Sequence, residues 1–256
     1  MNEDEKPFKP VGCKECLEGK DLDFDITMAF QPIVDPVNRS VFAYEALVRG
    51  ADGSGAGAVL SRVTDDNRYV FDQTCRVKAI QLATELGITC NLSINFLPNA
   101  VYRPETCIRA TMQAADEFEL PVSRIIFEVT EAEPVRDPEH LKGIFAEYQH
   151  RGFVTAIDDF GAGYAGLNLL NRFRPRILKL DMELCQGIAT DNVKRTITNG
   201  TISTAQQLGI EVVGEGVESK DDLAVLQELG VDYIQGYIFA APEIEKLPEP
   251  DFSVLQ

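Results

Sequence analysis

From residue 26 onward the chain repeats one arrangement. A short run of alternating apolar and polar side chains, or of apolar residues alone, is followed by a longer run with apolar positions three to four apart. Period two marks a strand with one buried face, and period 3.6 a helix with one apolar stripe. The pattern predicts strands over 27–34, 41–49, 90–96, 124–130, 153–158, 177–181, 210–214 and 232–236. It predicts helices over 67–86, 104–118, 137–150, 163–172, 185–208 and 219–229. Gly87, Gly209 and Gly230 each follow a helical run, where a residue free to take positive φ closes the last turn. Ser219, three residues before Asp222, suits the opening of the last helix.

Eight strands interleaved with helices predict an α/β fold, a (β/α)8 TIM-like barrel. Only the stretch from Asp35 to Ser40 separates the first two strands. That is too short for a crossover helix, so the first strand pair is predicted antiparallel. No glycine-rich phosphate loop follows a strand, which argues against a doubly wound nucleotide-binding sheet. Residues 1–25 are charged and without a period, and read as a polar extension or linker. The folded domain is then 26–256.

The alternation also sorts the polar groups, since residues i and i+2 of a strand share a face. Glu45, Leu47 and Arg49 share one, as do Asn91, Ser93 and Asn95, then Glu128 and Thr130, then Lys179 and Asp181. Strand 153–158 runs into Asp158-Asp159 and strand 210–214 into Glu215. The apolar faces are predicted to pack on the helices, and the polar faces to point into the barrel near the C-terminal strand ends. That gathers Glu45, Glu128, Glu131, Asp158, Asp159, Asp181, Glu215 and Glu218 against Arg49 and Lys179.

So many carboxylates cannot stay ionised and dry beside two cations, because one unpaired buried charge costs several kcal/mol. Either some are protonated or divalent cations neutralise them. The donors are all oxygens, which suits Mg²⁺ or Mn²⁺ better than Zn²⁺. Adjacent Asp158 and Asp159 could serve two ions, as in two-metal phosphoryl chemistry. Each residue also has a plainer reading: a strand-end Glu as a solvated rim group, Asp158-Asp159 as a turn, Lys179 as a partner of Asp181. Their agreement in position across six strands favours a site.

Composition narrows the partners. A chain of 256 residues with 45% hydrophobic and 25% charged residues can bury a full core. A net charge of −17 disfavours nucleic-acid polymers and anionic lipid. No apolar run of bilayer length and no leader-like N-terminus is present, so no membrane association is predicted and a cytoplasmic location is expected. Among six cysteines only Cys13 and Cys16 form a CxxC pair. Such a pair offers at most half of a zinc site; no second CxxC or histidine pair accompanies it, and His140 and His150 both lie in a predicted helix, so the plainer reading is a spare tail motif or one completed by another domain.

Glu45-Ala46-Leu47-Val48-Arg49, preceded by Phe30-Gln31-Pro32-Ile33-Val34-Asp35, resembles the motif that names the EAL-domain phosphodiesterases. Asn91-Leu92-Ser93, Glu128-Val129-Thr130-Glu131, Asp158-Asp159-Phe160-Gly161-Ala162-Gly163-Tyr164 and Lys179-Leu180-Asp181 follow. Glu215-Gly216-Val217-Glu218 and Gln235-Gly236-Tyr237 complete the series, which runs from about 28 to 242.

The resemblance implies hydrolysis of cyclic di-GMP to linear pGpG with two Mg²⁺ or Mn²⁺ ions. It implies Glu45, Asn91, Glu128 and Asp158 as ligands of the first ion, with Asp158 bridging to a second also held by Asp159. Glu215 is implied in or beside that shell, and Lys179 as the residue that positions the attacking water. Gln31, Arg49, Asp181, Glu218 and Gln235 resemble substrate-contacting or supporting positions. Glu131 resembles an anchor for the loop at 159–165, which in the family links metal binding to dimerisation. A homodimer through the 159–167 loop and run 185–208 is therefore expected. A sensory or diguanylate-cyclase domain would not fit within this length and would be upstream or separate.

Two departures stand out: Gly163-Tyr164-Ala165-Gly166-Leu167 replaces the usual Gly-Tyr-Ser-Ser-Leu, and Gly214 stands where Ala usually precedes Glu-Gly-Val-Glu. The alternatives are a catalytically silent cyclic di-GMP receptor, or another metal-dependent barrel hydrolase, since barrels host many chemistries.

Overall fold

The computed structural model describes residues 22–130, 138–163 and 167–255. Among these, eight strands close a barrel in the order of the chain: β1 (Ile26–Asp35), β2 (Ser40–Gly50), β3 (Asn91–Asn95), β4 (Ile125–Thr130), β5 (Val154–Phe160), β6 (Ile177–Leu180), β7 (Glu211–Gly214) and β8 (Tyr233–Gln235). From β2 to β8 each neighbour is parallel. β1 closes the ring and runs antiparallel to both β2 and β8. The barrel is thus the one predicted, hairpin included. In the hairpin turn the Asp35 carboxylate accepts the amides of Val37 and Asn38. A short strand β9 (Glu243–Ile244), absent from the sequence reading, pairs with Ala29 and Phe30 of β1.

The helices are α1 (Ala56–Leu60), α2 (Arg68–Glu85), α3 (Pro104–Glu117), α4 (Pro138–His150), α5 (Leu167–Phe173), α6 (Met182–Cys185), α7 (Asn192–Gln207) and α8 (Lys220–Glu228). Run 185–208 is not one helix. Gly187 turns the chain at φ 73°. Asp191 then starts α7 afresh, its carboxylate accepting the amides of Val193 and Lys194. A side chain that satisfies the free amides of a first turn fixes a helix start more strongly than periodicity can. Ser219 caps α8 by accepting the Asp222 amide, as its spacing suggested.

The outward strand face, with Phe30, Tyr44, Leu92, Phe127, Leu178 and Ile234, is buried against the helices. Inside the barrel, Ile33, Ala43, Ile126, Ala156, Ile177 and Val213 form a separate apolar floor. At Gly214 a methyl would lie 3.3 Å from Leu226 Cδ1, so that space is taken from the helix side.

Cys75, Cys90, Cys107 and Cys185 are free thiols. Among the described residues no helix is long and apolar enough to cross a membrane. Cys13, Cys16, Glu131 and Tyr164–Gly166 lie outside the described residues, as does the extension up to residue 21.

Candidate active site

Above the apolar floor each strand contributes a polar side chain on its inward face. Register sets their heights: Gln31 is opposite Glu45, Glu45 opposite Ser93, and Asn95 opposite Glu128. The centre is Lys179, only 1% exposed. Its Nζ lies 2.9 Å from Glu215 Oε1, 3.0 Å from Glu128 Oε2, 3.0 Å from Asp158 Oδ1 and 3.3 Å from Glu45 Oε2. One ammonium therefore faces four carboxylates, and Asp159 stands beside them. Lys179 does not pair with Asp181, which instead caps α6 by accepting the Glu183 amide.

Burial and mutual repulsion decide the proton affinities here. Burial pushes Glu128 up to about 8, against the pull of Lys179 and with Glu45 and Asp158 adding to the rise. Burial and the charge of Asp158 hold Glu215 well above the carboxylate range. Asp159 is raised to about 6, by burial first and then by Asp158. Burial alone would lower Lys179, but its carboxylate neighbours more than reverse this and keep it protonated.

Consecutive residues of a regular strand point to opposite faces, yet Asp158 and Asp159 serve one site. A bulge makes this possible. From Ile157 to Phe160 β5 advances three residues, while its partner β6 advances two, from Leu178 to Leu180. The extra residue sits opposite Lys179, and Asp159 takes φ 53°, a region Asp tolerates better than most residues. Its N–H donates to Asp158 Oδ1 at 3.0 Å.

Two carboxylate triads result, Glu45–Glu128–Asp158 and Asp158–Asp159–Glu215, each with ligand atoms within 4.8 Å of one another. They share Asp158, offer only oxygen, and exceed the charge of Lys179. That donor set fits a pair of hard divalent cations.

Asn91, expected from the sequence as a ligand of the first ion, stands below these triads. Asn91 lies opposite Ala43, on the level of the apolar floor, and its Nδ2 donates to Phe42 O at 2.9 Å. Asn95, four residues nearer the mouth, is opposite Glu128, and its Nδ2 donates to Glu45 Oε1 at 2.8 Å. Both asparagines share the inward face, so alternation could not separate them; the register of β3 against β4 does.

Gln235 Nε2 donates to Glu45 Oε2 at 2.7 Å and to Gln31 Oε1 at 3.2 Å, and Gln31 Nε2 reaches Ala240 O. These two glutamines hold Glu45 from behind, and the buried Gln235 Oε1 has no hydrogen-bond partner among the described residues. Arg49 is half-buried at the rim, with Nη1 on Val48 O. Glu218 is exposed. The loop carrying Glu215 and Glu218 rests on Gly236, where a Cβ would land on Val217 O. Val217 N–H donates to Gln235 O, and Ile238 N–H to Val217 O.

Residues 21–242 match the EAL domain model. A standalone EAL protein from Vibrio cholerae O395, solved with cyclic di-GMP bound, is 52% identical with a TM-score of 0.88, covering 91% of this chain and 99% of that one. The manganese and cyclic di-GMP complex of Klebsiella pneumoniae BlrP1 is 30% identical with a TM-score of 0.84, covering 94% of this chain and 60% of that one. The cyclic di-GMP phosphodiesterase RocR of Pseudomonas aeruginosa is 34% identical over 66% of this chain and 42% of its own length. The chain spans 24% to 55% of the length of the first curated relatives it matches. With a matching model over most of its length and motifs that converge on one acidic site, the chain belongs to the EAL domain family.

Proposed function

We propose that this protein is a metal-dependent phosphodiesterase that hydrolyses cyclic di-GMP to linear pGpG. The observation that carries the reading is the meeting of two all-oxygen triads on Asp158, beside a buried and protonated Lys179. Mg²⁺ or Mn²⁺ ions at such a site supply Lewis acidity: they acidify a water and neutralise charge on a phosphodiester. Glu45, Asn95, Glu128 and Asp158 would hold one ion, and Asp158, Asp159 and Glu215 the other.

Lys179 keeps its proton and donates to the surrounding carboxylates, which aims Nζ at the centre of the site, where an attacking water or a phosphate oxygen can accept from it. Gln235 and Gln31 fix the rotamer of Glu45. Arg49, at the rim, can turn its fork onto a phosphate or a guanine edge. Asp181 acts indirectly, by capping α6 behind the site. Glu131 as loop anchor, Glu218 as a substrate contact and a homodimer belong to the same proposal. Val193 at 70% and Ile197 at 55% exposure leave α7 an apolar stripe for a second copy.

Purified chain incubated with cyclic di-GMP and Mn²⁺ or Mg²⁺ tests the reading. Formation of pGpG that stops with chelator is the expected result. Binding without cleavage would make the chain a receptor instead. Neither binding nor cleavage would overturn the substrate assignment.

A further inference from the structure

Among the described residues the largest fully buried side chain is a cation outside the acidic cluster: Arg76 of α2 is 0% exposed. Its Nη2 lies 2.8 Å from Asp72 Oδ2, one helical turn earlier, and Asp72 is 2% exposed. Replacing such a pair by apolar residues of similar volume is often neutral or stabilising, so stability alone accounts poorly for it. What it touches is more informative. Asp72 Oδ1 accepts the backbone amide of Leu97 at 3.0 Å, two residues past Asn95. Arg76 Nη1 donates to Tyr148 OH of α4 at 2.8 Å. The guanidinium packs over Phe127 at 4.9 Å, Phe96 at 5.4 Å and Tyr148 at 5.6 Å.

Phe96 follows Asn95, and Phe127 precedes Glu128. Each aromatic ring points out of the barrel while its neighbour in the chain points in, so a rotation of either strand that frees the ring displaces the inward ligand. The two strand ends are also joined to each other, because the Phe96 amide donates to Glu128 O at 3.0 Å. Asp72, Asn95, Leu97 and Thr130 line one cavity of about 740 Å³, so Asp72 and the proposed ligand Asn95 border the same space.

We propose that Asp72, Arg76 and Tyr148 are positioning residues: clamped between α2 and α4, they fix the ends of β3 and β4 and so the placement of Asn95 and Glu128 toward the metal. The inference rests on the metal-dependent reading above. Substitution of these residues loosens the ligands without touching them.

The test uses the full chain with Asp72→Leu/Arg76→Met, which keeps an apolar core, and separately Tyr148→Phe, which removes one hydroxyl. Two readouts are taken. Calorimetric titration with Mn²⁺ is expected to show affinity weakened by roughly tenfold or more in the double variant, and a smaller loss in Tyr148→Phe. Hydrogen exchange of the metal-free protein is expected to quicken by about tenfold at the Phe96 and Leu97 amides while core amides of β6 and β7 keep their protection. A general loss of stability would quicken all of them together. Parent-like exchange at Phe96 and Leu97 overturns the proposal, whether or not the parent binds Mn²⁺. A parent that binds no Mn²⁺ overturns the metal-dependent reading instead. Should the double variant not fold, Tyr148→Phe decides by the same exchange measurement.

Discussion

Asp159 donates its backbone N–H to the carboxylate of Asp158, with its own backbone at φ 53°. The carboxylate that the two proposed metal positions share is thereby tethered by the residue that completes the second. Asn accepts this backbone region as readily as Asp. Asp159→Asn should therefore fold normally and lose charge only. In chelator at pH 8 we expect thermal stability at or above the parent's, because the neutral amide avoids a charge that burial and Asp158 disfavour. One Mn²⁺ per chain should disappear from a calorimetric titration, and turnover should fall about 100-fold. Unchanged stoichiometry would remove Asp159 from the metal site.

Asn95 and Asn91 give opposite expectations although they share a strand face. Asn95→Ala removes the donor to Glu45 Oε1 and a proposed ligand, and should weaken Mn²⁺ binding by roughly 10- to 100-fold. Asn91→Ala removes a hydrogen bond to Phe42 O at the floor and should cost about 1 kcal/mol of stability with metal affinity intact. Side-by-side titration and melting of the two variants checks both; the reverse pattern would restore Asn91 to the site.

Lys179 should matter to folding as well as to chemistry. Lys179→Met leaves four carboxylates, three of them buried, without their common cation. Breaking a buried ion pair costs about 3–5 kcal/mol. For a domain of this size that lowers Tm by roughly 10 °C in chelator at pH 8. Mn²⁺ should recover much of the loss while turnover stays absent. An unchanged Tm in chelator would show that Lys179 does not hold the cluster together.

The pH dependence has a definite sign. Glu128 releases its proton at about 8 in the folded chain against about 4.5 when free. Between those values the folded chain holds a proton that the unfolded chain has lost. Metal-free stability therefore falls as pH rises through that window, by up to about 1.4 kcal/mol per pH unit. Asp159 adds the same trend between 3.8 and about 6. Metal binding needs ionised carboxylates, so affinity rises over the interval and protons are released. Melting at pH 6 and pH 8 should give a lower Tm at pH 8 in chelator, and a larger gain from Mg²⁺ there. A chelator Tm that rises toward pH 8 would contradict the raised Glu128.

Much of the barrel was legible in the sequence because strand alternation is a local property. The antiparallel pair followed from a six-residue connection, and the inward carboxylates from period two. The failures are those that need non-local information. Height along a strand depends on register with its neighbour, so Asn91 and Asn95 looked alike. The β5 bulge exists only relative to β6, so the sequence suggested that Asp158 and Asp159 could serve two ions without showing how both face inward. Asp72 and Arg76, at i and i+4 on a helix, carry no local mark of burial, because α4 and the two phenyl rings that cover them come from elsewhere in the chain. The break after Cys185 was hidden because Gly187 and Asp191 sit inside a run whose apolar period continues past them.

The reversed first strand has a consequence for where the chain enters the barrel. Ile26 is opposite Gly50, at the C-terminal end of β2, so the polypeptide enters the barrel on the rim that carries the acidic cluster. In a barrel with all strands parallel it would enter at the opposite end. Any module fused ahead of β1 is thus delivered beside the substrate entrance, within reach of Arg49 on the adjoining strand.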